Sequence, residues 1–202
     1  VTFGYFHHRR AQATDYLLTQ ASTSQALAWA AAQSIYRDSL RTYFEEYVLQ
    51  PTTLDLLRQA QEPALRDSAR IQLYRHLYDV YSRLQGRGLR ELHFHLPDSR
   101  SLLRFHLPDR FDDALGEVRP AVEQANSSLE PVSGFDVGRT ATGSRTIFPV
   151  IDAAGRHLGS VEFGVSFDAL REEMTRLLPK REVQMLLQRS AVEAAVFDDH
   201  LM

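Results

Sequence analysis

The stretch Leu89-Arg-Glu-Leu-His-Phe-His-Leu-Pro-Asp-Ser-Arg-Ser-Leu-Leu-Arg-Phe-His-Leu107 decides the fold. In its first half Leu92, Phe94 and Leu96 alternate strictly with Glu91, His93 and His95, the period of a half-buried strand. Leu103, Phe105 and Leu107 repeat the alternation after Pro97, Asp98 and Ser99, three good turn formers, so the whole stretch reads as a β-hairpin. The pentapeptide Phe-His-Leu-Pro-Asp stands at both 94–98 and 105–109, so each strand leaves the sheet through a Pro-Asp exit.

Upstream the period changes. From Arg9 to Val48 there is neither Pro nor Gly, and Leu17, Leu27, Ala31, Ile35, Leu40, Phe44 and Val48 keep a three-to-four spacing, which predicts one long helix or two in line, stopped by Pro51. The Ala-rich middle (Ala26, Ala28, Ala30, Ala31, Ala32) lets another backbone approach closely, from this chain or from a second copy. Thr52 or Thr53 can cap a short helix through Ala60, and a longer helical pattern runs from Pro63 to Gln85, ended by Gly86 and Gly88.

Downstream, Phe111 to Ala125 has an amphipathic helical pattern interrupted by Pro120, with Asn126, Ser127 and Ser128 as a polar break. Three more strands are expected around Gly134 to Arg139, Arg145 to Ile151 and His157 to Val165, the last two joined by a tight turn at Asp152-Ala-Ala-Gly155. A helix from Phe167 to Leu177 ends before Pro179. The fold class is therefore α+β: a long N-terminal helix, then an antiparallel sheet flanked by helices. The expected division is 1–50 for the long helix, 51–180 for the sheet domain and 181–202 for a C-terminal segment, either a terminal helix or the start of a second module.

Composition excludes several classes. The 23 Lys and Arg against 26 Asp and Glu leave no basic excess for a phosphate backbone, so nucleic acid is not an expected partner. The absence of Cys removes disulfides, thiol nucleophiles and thiolate metal sites, and it suits a reducing cytosol and an unstapled periplasmic domain equally. No apolar run is long enough to span a bilayer, and the opening at Val1 reads as a segment of a longer or processed protein.

Four blocks carry a family resemblance: Leu92 to Pro108, Pro131-Val-Ser-Gly-Phe-Asp-Val-Gly-Arg139, Arg145-Thr-Ile-Phe-Pro-Val150 and Gly155-Arg-His-Leu-Gly-Ser-Val-Glu162. In that order the sequence resembles the extracytoplasmic Cache sensor domains of bacterial receptors, relatives of the PAS fold, and in particular the double-Cache type. The resemblance implies a PAS-like sheet and a long N-terminal helix leaving a membrane. It also implies a ligand pocket between the sheet and the segments that cross it, and a second PAS-like module whose opening would fall at Val183 to Phe197. The expected localisation is then a periplasmic or otherwise extracytoplasmic domain of an inner-membrane receptor such as a histidine kinase, diguanylate cyclase or chemoreceptor. Its expected partners are a small molecule, with an anion among the candidates, or a periplasmic binding protein, together with a second copy through the long helix.

Positions in these motifs, with their chemistry, give the candidate ligand-binding residues Arg104, His106, Phe135, Arg139, Arg145 and Phe148. A guanidinium on a sheet face pairs bidentately with a carboxylate, although Arg100, Arg104, Arg139 and Arg145 can equally pair with Glu91, Asp136 and Glu162 as structural ion pairs. Alternation puts Arg104 and His106 on one face and Phe148 opposite Arg145, so all six share one cavity only if a bulge intervenes. His93-x-His95 with His106 on the partner strand, completed by Glu91 or Glu162, is the one metal-like spacing, against the plainer alternative of polar positions on a half-exposed strand. No Ser elbow, zincin helix, Walker loop or paired-carboxylate motif occurs, so the expectation is a sensor without catalysis or cofactor. A protein-docking module without a pocket and a His-based metalloenzyme are the alternatives.

Overall fold

A computed structural model describes residues 2–116, 118–137, 142–184, 186 and 188–190. Helix α1 (Thr2–Tyr43) passes into a single π-helical turn at Phe44–Val48, followed by α2 (Pro51–Gln59) and α3 (Arg66–Gln85). Then come β1 (Leu89–His95), β2 (Ser101–Arg104), α4 (Pro120–Ser128), β3 (Val132–Val137), β4 (Thr142–Ile151), β5 (His157–Ser166) and α5 (Phe167–Leu177). The five strands form one sheet in the order β2-β1-β5-β4-β3, with every neighbouring pair antiparallel. This is the expected α+β architecture.

Two prolines act differently from the expectation. Pro51 does not only end the long helix: it opens α2 in its first turn, where a missing N–H costs nothing. Thr53 is buried and donates its hydroxyl to the Tyr47 carbonyl at 3.0 Å, bridging the π turn and α2 rather than capping. Pro120 likewise starts α4 instead of interrupting a helix, and the described residues between β2 and α4 (105–116, 118 and 119) have no regular structure except a bridge from Ala114 to Arg100.

One face of the sheet is an ordinary apolar core. Leu92, Phe94, Leu103, Phe148, Val161, Phe163 and Val165 pack there with Leu57 of α2 and Leu73, Leu77, Tyr81 and Leu84 of α3. Phe44 of the π turn stacks on Phe148 at 4.7 Å between centroids, anchoring the end of α1 to the middle of β4. Further back along α1, Ala28 and Ala32 are covered by Met174 of α5, with Leu178 and Val183 beside it, so the small residues admit a helix of the same chain. The Tyr36 hydroxyl donates to the Ala169 carbonyl at 3.2 Å and ties α1 to the start of α5.

The β4–β5 turn follows the expectation from its sequence. Gly155 takes φ +76°, and the Asp152 carboxylate accepts from the backbone N–H groups of Ala154 and Arg156, both at 3.0 Å.

Candidate functional site

The other face of the sheet overturns the half-buried reading of β1. Glu91, His93 and His95 are all buried, as are Ser101, Arg145, Ser160 and Glu162 on the neighbouring strands. The cover comes from α4, whose Val122 and Ala125 pack on Ile147, and from the irregular segment before it. Asn126 of α4 donates to the Leu96 carbonyl at 3.2 Å and to Ser99 Oγ at 3.1 Å, fastening the cover to the end of β1.

Register sets the buried polar layer, or chamber, beneath that cover. Across one row Arg104, His93, Glu162 and Ile147 are successive partners, and across the next Ser101, His95 and Ser160. A third row runs from Glu91 through Gly164 to Arg145. The glycine makes this row work: a Cβ at 164 would lie 3.0 Å from Glu91 Cβ and 3.4 Å from its Oε2. With no side chain there, Arg145 reaches across β5 to ion-pair with Glu91 while also donating to Glu162 Oε1 at 2.8 Å. Arg119, immediately before α4, donates to the same Oε1 at 2.5 Å.

Burial would push the Glu162 carboxyl up, but the guanidiniums of Arg119 and Arg145, with His95 beside them, outweigh it and hold the group at about 2. Burial lowers both central imidazoles. His93 falls well below its ordinary value, helped by His95 and Arg104, and His95 falls to about 4 although Glu162 opposes the shift. Both histidines are thus neutral near pH 7, with His93 Nε2 against Ser101 Oγ at 2.8 Å and His95 Nδ1 against Ser160 Oγ at 2.9 Å. Replacing a buried ionic network of this kind by apolar residues of the same volume is often neutral or stabilising, so such a network is weak evidence for a purely structural role.

The six residues expected from sequence divide between the two faces. Arg104 lies on the chamber side, held by a bidentate pair to Asp113 at 2.7 and 2.8 Å. His106 follows it just past β2, half-buried, its imidazole lowered by burial against the opposing field of Glu91, and its Nδ1 has no hydrogen-bond partner among the described residues. Arg145 sits in the chamber itself. Phe148 belongs to the apolar core against Phe44 and Phe163, and Phe135 packs edge-on to Trp29 of α1 and beside Phe167 of α5, so neither reaches the chamber. Arg139 lies outside the described residues. In place of the trio His93, His95 and His106, the group with ligand atoms close together is His93, His95 and Glu162. Arg119, Ser101 and Ser160 were not singled out from sequence, although Ser160 and Glu162 show as a polar alternation inside the apolar run of β5.

Elsewhere, a hollow of about 210 Å³ opens between α3 and β2, lined by Arg66, Asp67, Arg70 and Phe111, with Arg70 stacked 3.6 Å over the Phe111 ring. It is below the usual size of a small-molecule site.

Residues 64–198, more than half of the chain, match the family described as the double sensory domain of two-component sensor kinases (dCache_3). Among solved structures the fold is similar to the sensor domain of the Vibrio cholerae histidine kinase DctB, at TM-score 0.60 and 18% identity over 78% of this chain and 59% of that one. It is also similar to the extracellular domain of the putative histidine kinase vpHK1S-Z8, at TM-score 0.51 and 12% identity over 78% and 60%. The chain therefore spans about 60% of the length of these two sensor domains. No curated protein matches it in sequence. Among the described residues no helix is long and apolar enough to cross a membrane.

Proposed function

Because the chain belongs to the double-Cache sensory family, whose domains are extracytoplasmic parts of membrane signalling receptors, we propose that it is the ligand-sensing input of such a receptor and that its ligand enters the chamber under α4. The observation that carries this reading is the buried, charge-paired polar face of the sheet, where Glu91, Arg145, Glu162 and Arg119 balance one another around two neutral histidines. A small polar or anionic molecule entering there exchanges these internal pairs for its own. Arg104, His106 and Arg145 are the expected contacts, and α4 is the cover that must yield on entry.

Relay then needs differential affinity for two arrangements of α1. Glu91 stands three residues from Gly88, whose carbonyl accepts from Ser166 N–H at 3.1 Å just where α5 begins, and α5 is tied to α1 through Tyr36 and Ala169. A shift of Glu91 and Arg145 thus has a short mechanical route to the long helix. Exposed Leu17, Leu18, Leu27 and Ile35 along α1 favour its pairing with a second copy in the receptor. No catalytic step belongs to this reading.

The test is a thermal-shift panel of amino acids, organic acids, amines, sugars and nucleobases on the purified chain. A ligand at about a hundred times its Kd contributes about 2.7 kcal/mol, a rise of several degrees. The rise should shrink in His106→Gln and Arg119→Gln proteins that keep the wild-type circular dichroism. Absence of any shift across the panel, or shifts untouched by both substitutions, defeats the chamber as the sensing site and favours a protein partner.

A further inference from the structure

We propose that His93, His95 and Glu162 form a facial binding site for one divalent transition-metal ion of the zinc class, inside the chamber that the sensing reading uses. Three observations carry it. The first is placement: His93 and His95 are alternate residues on one face of β1, and Glu162 is the direct cross-strand partner of His93, so the backbone ladder alone brings the three together. His95 Nε2 lies 3.7 Å and His93 Nδ1 3.9 Å from Glu162 Oε2. Bonds of roughly 2.1 Å to a tetrahedral ion require its ligands to stand about 3.4 Å apart, and the three ligand atoms here all lie within 4.8 Å of one another, so side-chain rotation without backbone movement closes the site.

The second observation is how each side chain is held. His93 is bonded through Nε2 to Ser101 Oγ, and His95 through Nδ1 to Ser160 Oγ. Glu162 is bonded through Oε1 to Arg119 and Arg145. In each case the fixed atom is the one that would not touch the ion, the outer arrangement that orients imidazole and carboxylate ligands in metal sites. The third is that two of the free atoms have nothing else to do. His95 Nε2 and Glu162 Oε2 are buried and have no hydrogen-bond partner among the described residues, a cost that structures rarely leave standing.

Two nitrogens and one carboxylate oxygen favour zinc, nickel, cobalt or copper over magnesium or calcium, which prefer an all-oxygen shell. Glu91 and Glu162 already balance Arg119 and Arg145, so an anionic fourth ligand, such as hydroxide, chloride or the carboxylate of an incoming molecule, is favoured because it offsets part of the ion's charge.

The experiment strips the chain with a chelator and titrates it with Zn2+ alone, by calorimetry, and with Co2+ alone, by visible absorption, in the absence of any organic ligand. The expected result is one tight equivalent and the intense visible bands of low-coordinate Co2+. His95→Gln should weaken that equivalent by 10-fold or more. Nitrogen NMR of the unmutated protein provides a second readout that needs no variant: Zn2+ should shift His93 Nδ1 and His95 Nε2. Binding that leaves both nitrogens unmoved, or no stoichiometric equivalent below about 10 µM, overturns the proposal. Running the organic panel in chelator separates the two readings, since sensing without metal and metal without sensing give opposite patterns.

Discussion

The two faces of the sheet are equally buried and built on opposite principles. On one, Phe94, Phe148, Val161 and Phe163 fill space with groups that ask only for volume. On the other, Glu91, His93, His95, Arg145 and Glu162 occupy comparable positions in the same strands and depend on named partners at set distances. Apolar packing of this kind tolerates exchange if volume is kept, whereas a charged network tolerates exchange only as a set. The polar face is the one the sensing proposal uses, because apolar packing could have stabilised the sheet there more simply.

The largest effects test that contrast directly. Phe163→Ala and Glu162→Leu should each destabilise the chain by about 3–5 kcal/mol, the first by leaving a cavity and the second by removing the buried carboxylate to which both Arg145 and Arg119 donate. Rescue should separate them. Phe163→Leu recovers much of the first loss by itself, while the second yields only to the joint replacement Glu91→Leu, Glu162→Leu and Arg145→Met. That triple variant should unfold in urea at or near the wild-type midpoint and bind nothing in the chamber. A triple variant no more stable than Glu162→Leu alone would mean that the network is structural.

A smaller effect probes the gap between the rows. Gly164→Val places methyl groups where Arg145 crosses to Glu91, and should cost about 1–3 kcal/mol through overpacking and displacement of the pair. Ligand or metal affinity should fall with it, since Glu162 loses the alignment that Arg145 gives. Unchanged affinity together with lower stability would separate the Arg145–Glu91 pair from the site. Tyr36→Phe removes one hydroxyl bond between α1 and α5 and should cost about 1 kcal/mol. Its value lies in the receptor: if ligand affinity measured on the chain is unaltered but signalling output changes, the α1–α5 tie is part of the relay.

These expectations also show why one face could be read from the sequence and the other could not. The strands, the Asp152 turn and α5 were legible because alternation, turn residues and helical spacing are local. Alternation at Glu91, His93 and His95 gave the correct strand and the correct common face, but a polar face on solvent and a polar face under α4 have the same sequence pattern. What distinguishes them is the crossing segment. Reading Pro120 as a helix breaker, rather than as the first residue of α4, hid both the cover and Arg119. Motif position points to Phe135 and Phe148, yet the strand period already sets Phe148 on the face opposite Arg145. Glu162, the single charge inside the apolar run of β5, is the residue on which the ion-pair and metal readings of the sequence converge, whereas the glycine two residues on, where an arginine needs room to cross, carries a signal those readings leave out.

The smallest expected effect lies at the β4–β5 turn, away from both faces, and shows how a legible charge behaves. The backbone N–H of Arg156, with burial opposing and the Arg156 guanidinium and Ala154 N–H assisting, lowers the Asp152 carboxyl from 3.8 to about 2. The folded chain therefore releases this proton more readily than the unfolded one, and between those two values the unfolded state binds more protons. The contribution of Asp152 is complete above the unfolded value and disappears as the pH falls through about 2. Asp152→Asn keeps an oxygen for the two backbone donors but turns an amide toward Arg156 and Arg58 in place of the carboxylate. The melting temperature of the variant should lie below that of the wild type from neutral pH to about pH 5, and the gap should close as the pH approaches 2. A gap that stays constant down to pH 2 would show that the turn is held by the shape of the side chain and not by its charge. This local pair would then resemble the apolar face of the sheet, where volume alone suffices, more than the network on the other face.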